Sequence, residues 1–157
     1  IDKLKNKGVK IEDVTLHISY NTFKPITSEN YLNHDIGYEQ FSVNKGTFDI
    51  IEKAKSTKNK VIAVGTTVTR VLEHCYQNNI KKTFSGETDL FIYPGFEFKA
   101  INCMITNFHL PKSSLLLLVS AFIGRQCILS LYKMAIDKKY KFYSYGDSMF
   151  LNKNHEI

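Results

Sequence analysis

The sequence predicts an α/β fold, a mostly parallel sheet flanked by helices, and three observations carry that prediction. Residues 61–64, Val-Ile-Ala-Val, form a short β-branched run bounded by charge and by Gly65. Directly after it Val68, Val71, Leu72 and Cys75 recur at i, i+3, i+4 and i+7, so the chain turns from strand to amphipathic helix within two or three residues. Further strand-like and helix-like stretches alternate downstream, with no internal repeat or low-complexity linker to divide the 157 residues. One domain, or part of one, is the reading.

The elements follow in order. Val9, Ile11, Val14, Leu16 and Ile18 alternate with polar residues, which predicts a strand over residues 13–18. Residues 19–25 read as a loop, followed by a polar, aromatic stretch to Gln40 and a short strand at 41–43. Thr47 is placed to cap a helix over 48–55, with Ile51 and Ala54 on one side. The run at 61–64 reads as a strand buried on both faces. Residues 90–93 and 103–106 read as strands separated by Pro94-Gly95 and an alternating Phe96, Phe98, Ala100 segment. A helix is expected from Pro111 through the apolar block at 115–122, since the fixed φ of proline suits a first helical turn. A second runs from about Arg125, with Ile128, Leu131 and Ala135 on one face. An aromatic segment at 140–145, a Gly-Asp turn and a strand at 149–151 close the chain.

Composition bounds the class. With 43% hydrophobic and 13% aromatic residues the chain buries a real core, which excludes a disordered tail. The net charge of +6 comes from scattered lysines, a pattern that suits a solvated surface as well as a phosphate-binding face. Cys75, Cys103 and Cys127 lie far apart and odd in number, which points to buried thiols in a reducing compartment and to no disulfide framework or zinc knuckle. The longest apolar run, 115–123, is too short to cross a bilayer, and the opening Ile-Asp-Lys-Leu-Lys lacks an apolar secretory stretch. A soluble, cytoplasmic protein with no membrane partner and no metal is expected.

Four stretches bear chemistry. Val64-Gly65-Thr66-Thr67, with Arg70 and Glu73 following, stands at a strand-to-helix junction, where free backbone N–H groups can hold an anion or simply form a capped turn. Phe91-Ile92-Tyr93-Pro94-Gly95-Phe96 precedes Thr106-Asn107-Phe108-His109, whose polar trio ends a strand where open α/β sheets place ligands. A histidine there can titrate near neutrality as base or acid, or cap the neighbouring helix. In Tyr143-Ser144-Tyr145-Gly146-Asp147, aromatics beside an acid suit either a stacked base or packing.

Taken together, Val-Gly-Thr-Thr with Arg70, Ile-Tyr-Pro-Gly-Phe, Thr-Asn-Phe-His-Leu-Pro-Lys-Ser, Leu-Val-Ser-Ala-Phe and Tyr-Gly-Asp-Ser-Met-Phe closely resemble the queuosine S-adenosylmethionine:tRNA ribosyltransferase-isomerase family in order and spacing. The likeness is close over residues 61–151 and extends upstream to Val14-Thr15-Leu16-His17, Thr22-Phe23 and Pro25. Family members are longer. The resemblance implies that residues 1–157 are the C-terminal portion of a larger, barrel-like α/β catalytic domain, whose N-terminal half and inserted β-barrel are absent here. It implies S-adenosylmethionine as a co-substrate, with no true cofactor, and a tRNA carrying 7-aminomethyl-7-deazaguanine as partner. It also implies a base to remove a proton beside the sulfonium. His109 is the first candidate, with Asn107 orienting it or the sugar, and His17 and Asp147 are candidates for orienting ribose or base. Gly65, Thr66 and Thr67 are expected to hold the methionine carboxylate with Arg70 as ion-pair partner, and Tyr93 or Tyr145 to stack on a purine. The chain departs from the family pattern at Ile18-Ser19-Tyr20-Asn21, at Gly37 where a second histidine is usual, and at Val68 where serine is usual. A non-catalytic truncated copy and a generic nucleotide-binding domain are the alternatives.

Overall fold

The computed structural model describes residues 1–18 and 24–153, so the loop expected at 19–25 and the departure at 19–21 lie largely outside the described residues. The elements are α1 (Asp2–Asn6), β1 (Thr15–His17), β2 (Glu39–Val43), α2 (Lys45–Ser56), β3 (Ile62–Val64), α3 (Thr66–Gln77), β4 (Phe84–Thr88), β5 (Cys103–Asn107), α4 (Ser114–Ile123), α5 (Arg125–Asp137) and β6 (Ser148–Asn152). A single 3-10 turn, Tyr31–Asn33, precedes β2.

The strands form two three-stranded sheets, ordered β1-β2-β4 and β3-β5-β6. The first is antiparallel throughout, and in the second only β3 and β5 run parallel, with β6 antiparallel to β5. The fold is therefore α/β, but the expectation of a mostly parallel sheet is corrected, and the described strands lie in two separate sheets with no single barrel among them. The reason lies in β2. Its Glu39, Phe41 and Val43 are buried while Gln40 is exposed and Ser42 half-buried, the one-sided pattern that antiparallel sheets tolerate and buried parallel ones do not.

Strand β3 differs in the same sense. Only its Ala63 is buried, and Val64 is 65% exposed, so the reading of a strand buried on both faces is overturned. The register Val64↔Ile105↔Phe150 puts these three apolar residues on one outward face of the sheet. The opposite face carries Ala63, Met104 and Leu151 into the core.

The helices close that core. Val71, Leu72, Cys75 and Tyr76 of α3 are buried, as are Leu115, Leu118, Val119 and Phe122 of α4. Phe98 meets Phe122 edge-on with centroids 4.9 Å apart. Helix α2 starts earlier than expected, after Asn44, and leaves Thr47 buried inside its first turn. Helix α4 begins at Ser114 because the Ser113 hydroxyl accepts from the Leu116 N–H at 3.2 Å, so Pro111 lies in the preceding turn and not in the helix. The expected strand at 90–93 joins no ladder. The strand in that region is β4, whose Gly86 and Glu87 interrupt any apolar alternation. Cys75 and Cys103 are buried as expected, and Cys127 is half-buried. Among the described residues no single helix is long and apolar enough to cross a membrane.

One buried carboxylate orders the approach to β5. Glu73 accepts from the backbone N–H groups of Lys99, Ala100 and Ile101 at 2.7, 2.9 and 3.2 Å. Burial raises its pKa, and the three donors oppose that shift.

Candidate functional site

The carboxyl ends of β3 and β5 lie side by side. Gly65, the N-cap of α3 at φ 101, donates its N–H to the Ile105 carbonyl at 2.8 Å. That conformation favours glycine. No side chain caps α3, so its leading N–H groups, with those of Thr66 and Thr67 among them, keep their capacity for an acceptor. One residue beyond Ile105, the buried Thr106 hydroxyl lies 3.0 Å from His109 Nε2. The Gly65 turn and the His109 imidazole therefore belong to adjacent strand ends.

His109 is held from both sides. Its backbone N–H donates to the Tyr132 hydroxyl at 2.7 Å, and burial pushes its pKa down to about 4. The expectation of a group titrating near neutrality is corrected: at pH 7 this imidazole is neutral, an acceptor or base and not a charged acid. Tyr132 is a residue that sequence reasoning missed, since nothing in the spacing of α5 sets this tyrosine apart from a packing residue.

Asn107 points elsewhere. Successive strand residues face opposite sides of the sheet, so Asn107 shares the face of Ile105 and its amide reaches the Asp147 carbonyl at 3.3 Å. The expectation that Asn107 orients His109 is corrected accordingly. Asp147 folds its own turn, with Oδ2 accepting from the Lys141 N–H at 2.7 Å. The turn is fastened to β5 by a bond from the Tyr143 N–H to the Phe108 carbonyl, with Tyr143 at φ 71. Tyr145 projects fully into solvent.

Arg70 also differs from expectation. Its side chain is 1% exposed and paired with the fully buried Glu39 at 2.6 Å, with Nε donating to the Leu90 carbonyl at 3.0 Å. Burial lowers its pKa and Glu39 opposes the shift. It is thus turned into the core, joining α3 to β2, and does not present its charge at the helix N-terminus. His17 lies on the other sheet, opposite Gln40. Tyr93 is half-exposed, stacked on Tyr31 and Phe91 with centroids 5.7 and 5.6 Å apart. Val68 is half-buried against the core. Among the described residues no three His, Cys, Asp or Glu side chains are grouped to hold a metal ion.

These features define the class: an α/β unit with a set of polar side chains and an uncapped helix end at the carboxyl ends of a parallel strand pair, where such folds receive nucleotide-like ligands. Residues 1–151 match the family model described as "Queuosine biosynthesis protein". The chain belongs to that family. A curated relative from Vesicomyosocius okutanii, named S-adenosylmethionine:tRNA ribosyltransferase-isomerase, is 52% identical over 99% of this chain and 46% of its own length. One of the same name from Aquifex aeolicus is 50% identical over 96% and 44%. The crystal structure of an S-adenosylmethionine tRNA ribosyltransferase from Thermotoga maritima superposes with a TM-score of 0.79 at 38% identity, over 95% of this chain and 47% of that one. The chain thus spans less than half the length of these relatives.

Proposed function

We propose that this chain forms part of a catalytic centre that transfers and isomerises the ribosyl moiety of S-adenosylmethionine onto 7-aminomethyl-7-deazaguanine at the tRNA wobble position. The products are epoxyqueuosine in tRNA, adenine and methionine. S-adenosylmethionine is then a co-substrate consumed as ribosyl donor, with no separate cofactor. In this reading residues 1–157 are the C-terminal portion of a larger α/β catalytic domain working in the cytoplasm. The observation that supports it most is the Gly65 N–H bond to the Ile105 carbonyl, which brings the uncapped α3 terminus beside the Thr106–His109 pair.

Each group has a role consistent with its environment. The sulfonium acidifies the C–H bond on the adjoining ribose carbon, and a neutral, desolvated imidazole at His109 is available to take that proton. Thr106 and Tyr132 hold the ring and its backbone in place. The Gly65, Thr66 and Thr67 amides receive the methionine carboxylate at the helix end. Arg70 acts as an internal strut, since its charge is committed to Glu39. Asn107 and Asp147 line the opposite face of β5, Tyr93 and Tyr145 offer surfaces for a purine, His17 contributes from the antiparallel sheet, and scattered lysines meet RNA phosphate.

The test is incubation of the chain with ribosyl-labelled S-adenosylmethionine and tRNA bearing the aminomethyl base. Adenine release with label on RNA is expected, and His109→Ala should abolish both. Binding of S-adenosylmethionine without release would favour the non-catalytic copy, and full turnover by His109→Ala would remove this histidine from the mechanism.

A further inference from the structure

A cavity of about 360 Å³ lies beside this site, lined by Lys24, Thr27, Ser28, Asn33, His34 and Asp35. The segment that forms it is pinned at both flanks to the stretches described above. On one side Pro25 bridges to Ser113 and the Ile26 N–H donates to the Lys112 carbonyl at 2.7 Å, just after His109. On the other, His34 packs on Phe91 with centroids 5.9 Å apart and Tyr31 on Tyr93 at 5.7 Å.

Two polar atoms in this cavity stand out. The Ser28 hydroxyl oxygen and His34 Nε2 are both buried and have no hydrogen-bond partner. Buried polar atoms are nearly always satisfied, so two orphans sharing one cavity mark a place where a ligand supplies the missing bonds. The lining also says what kind of ligand. Asp35, whose Oδ1 accepts from the Gly37 N–H, disfavours a phosphate or carboxylate and favours a hydroxyl donor. A serine hydroxyl and an imidazole nitrogen each exchange one hydrogen bond with an alcohol, and two such groups match a vicinal diol. The half-exposed Tyr31 and Tyr93 rings next to them offer a stacking surface for a base.

We infer that this cavity is the nucleoside subsite of the chain, with Ser28 and His34 holding the two ribose hydroxyls of the S-adenosylmethionine nucleoside and the Tyr31–Tyr93 pair carrying its purine. The inference rests on the proposed function for the identity of the nucleoside, and it adds the residues that recognise the sugar.

Its test is a comparison of adenosine with 2′,3′-dideoxyadenosine by calorimetric titration of the chain, Ser28→Ala and His34→Ala. The unaltered chain should prefer adenosine by about tenfold, the worth of one or two neutral hydrogen bonds. Each substitution should weaken adenosine by about three- to tenfold, leave dideoxyadenosine unchanged, and not lower the melting temperature, since an orphaned polar atom is removed. Failure of the chain to bind adenosine, or variants that keep the preference intact, would overturn the subsite. So would variants that weaken both nucleosides equally. If sugar discrimination follows the two residues while no adenine is released from S-adenosylmethionine, the subsite stands and the proposed reaction falls. Adenine release by variants with unchanged discrimination would overturn the subsite and leave the reaction standing.

Discussion

Removing Glu39 tests how the two sheets are joined. The Arg70–Glu39 pair is separated by 2.6 Å with side chains 1% and 0% exposed, and it links β2 in the antiparallel sheet to α3 behind the parallel pair. At an effective dielectric near 20 its attraction is about 6 kcal/mol, while dehydrating two ions costs several kcal/mol each, so the net worth of the pair is small. Breaking it is another matter. Glu39→Ala leaves a guanidinium enclosed without its carboxylate, a loss of about 3–5 kcal/mol, which for a chain of this size lowers the melting temperature by about 6–20 °C. The double variant Glu39→Met, Arg70→Met replaces both ions with apolar side chains and should return to within about 2 kcal/mol of the parent. Urea denaturation with a common m-value and calorimetry measure both. A Glu39→Ala variant within about 1 kcal/mol of the parent, or a double variant as unstable as the single, would refute the reasoning.

Three further outcomes follow from local geometry. Glu73→Gln replaces an oxygen facing three backbone donors and should cost about 1–3 kcal/mol, read as a lower urea midpoint and faster amide exchange at Ala100 and Ile101. His109 has its pKa lowered from 6.5 to about 4, so between these values the unfolded chain binds the proton that the native state refuses. That contribution is complete above about pH 6.5 and is lost as pH falls. Moving from pH 7.5 to 5 should therefore destabilise the parent by about 2 kcal/mol more than His109→Gln, measured by paired urea titrations. A Cβ at Gly146 would lie 2.3 Å from the Lys141 carbonyl oxygen, so Gly146→Ala should displace the turn that carries Asp147 and lower stability by about 1–3 kcal/mol, with near-ultraviolet circular dichroism of the tyrosines reporting the shift.

What was legible in the sequence is what depends on local pattern. The 61–64 run followed by Val68, Val71, Leu72 and Cys75 gave β3 and α3 nearly to the residue, because period and capping are local. The same holds for α5 from Arg125 and for β6. Pairing partners were not legible. Strand β2 lies beside β4 across about forty residues, and neither run states its partner, so the antiparallel sheet went unseen. The site divides in the same way. The 106–109 motif located the Thr106–His109 pair, but burial decided that the imidazole is neutral and that Arg70 faces inward, and burial is set by distant chain. Tyr132, Ser28 and the cavity around His34 emerge only when segments far apart in sequence meet.

Strand β5 shows how one element serves two environments. Its two-residue period sends Met104 and Thr106 to the core side and Ile105 and Asn107 to the other. On the core side Thr106 meets a desolvated His109, where a proton acceptor gains from low dielectric. On the other, Asn107 reaches the Asp147 turn beside the outward apolar residues Val64 and Phe150. A single shift of register along β5 would exchange these environments, placing an amide where the imidazole is buffered from water and a threonine against the turn. The β3–β5 and β5–β6 ladders forbid that shift, because it would also expose Met104 and bury Asn107. The same apolar packing that holds the sheet together thus fixes which side of β5 carries the base.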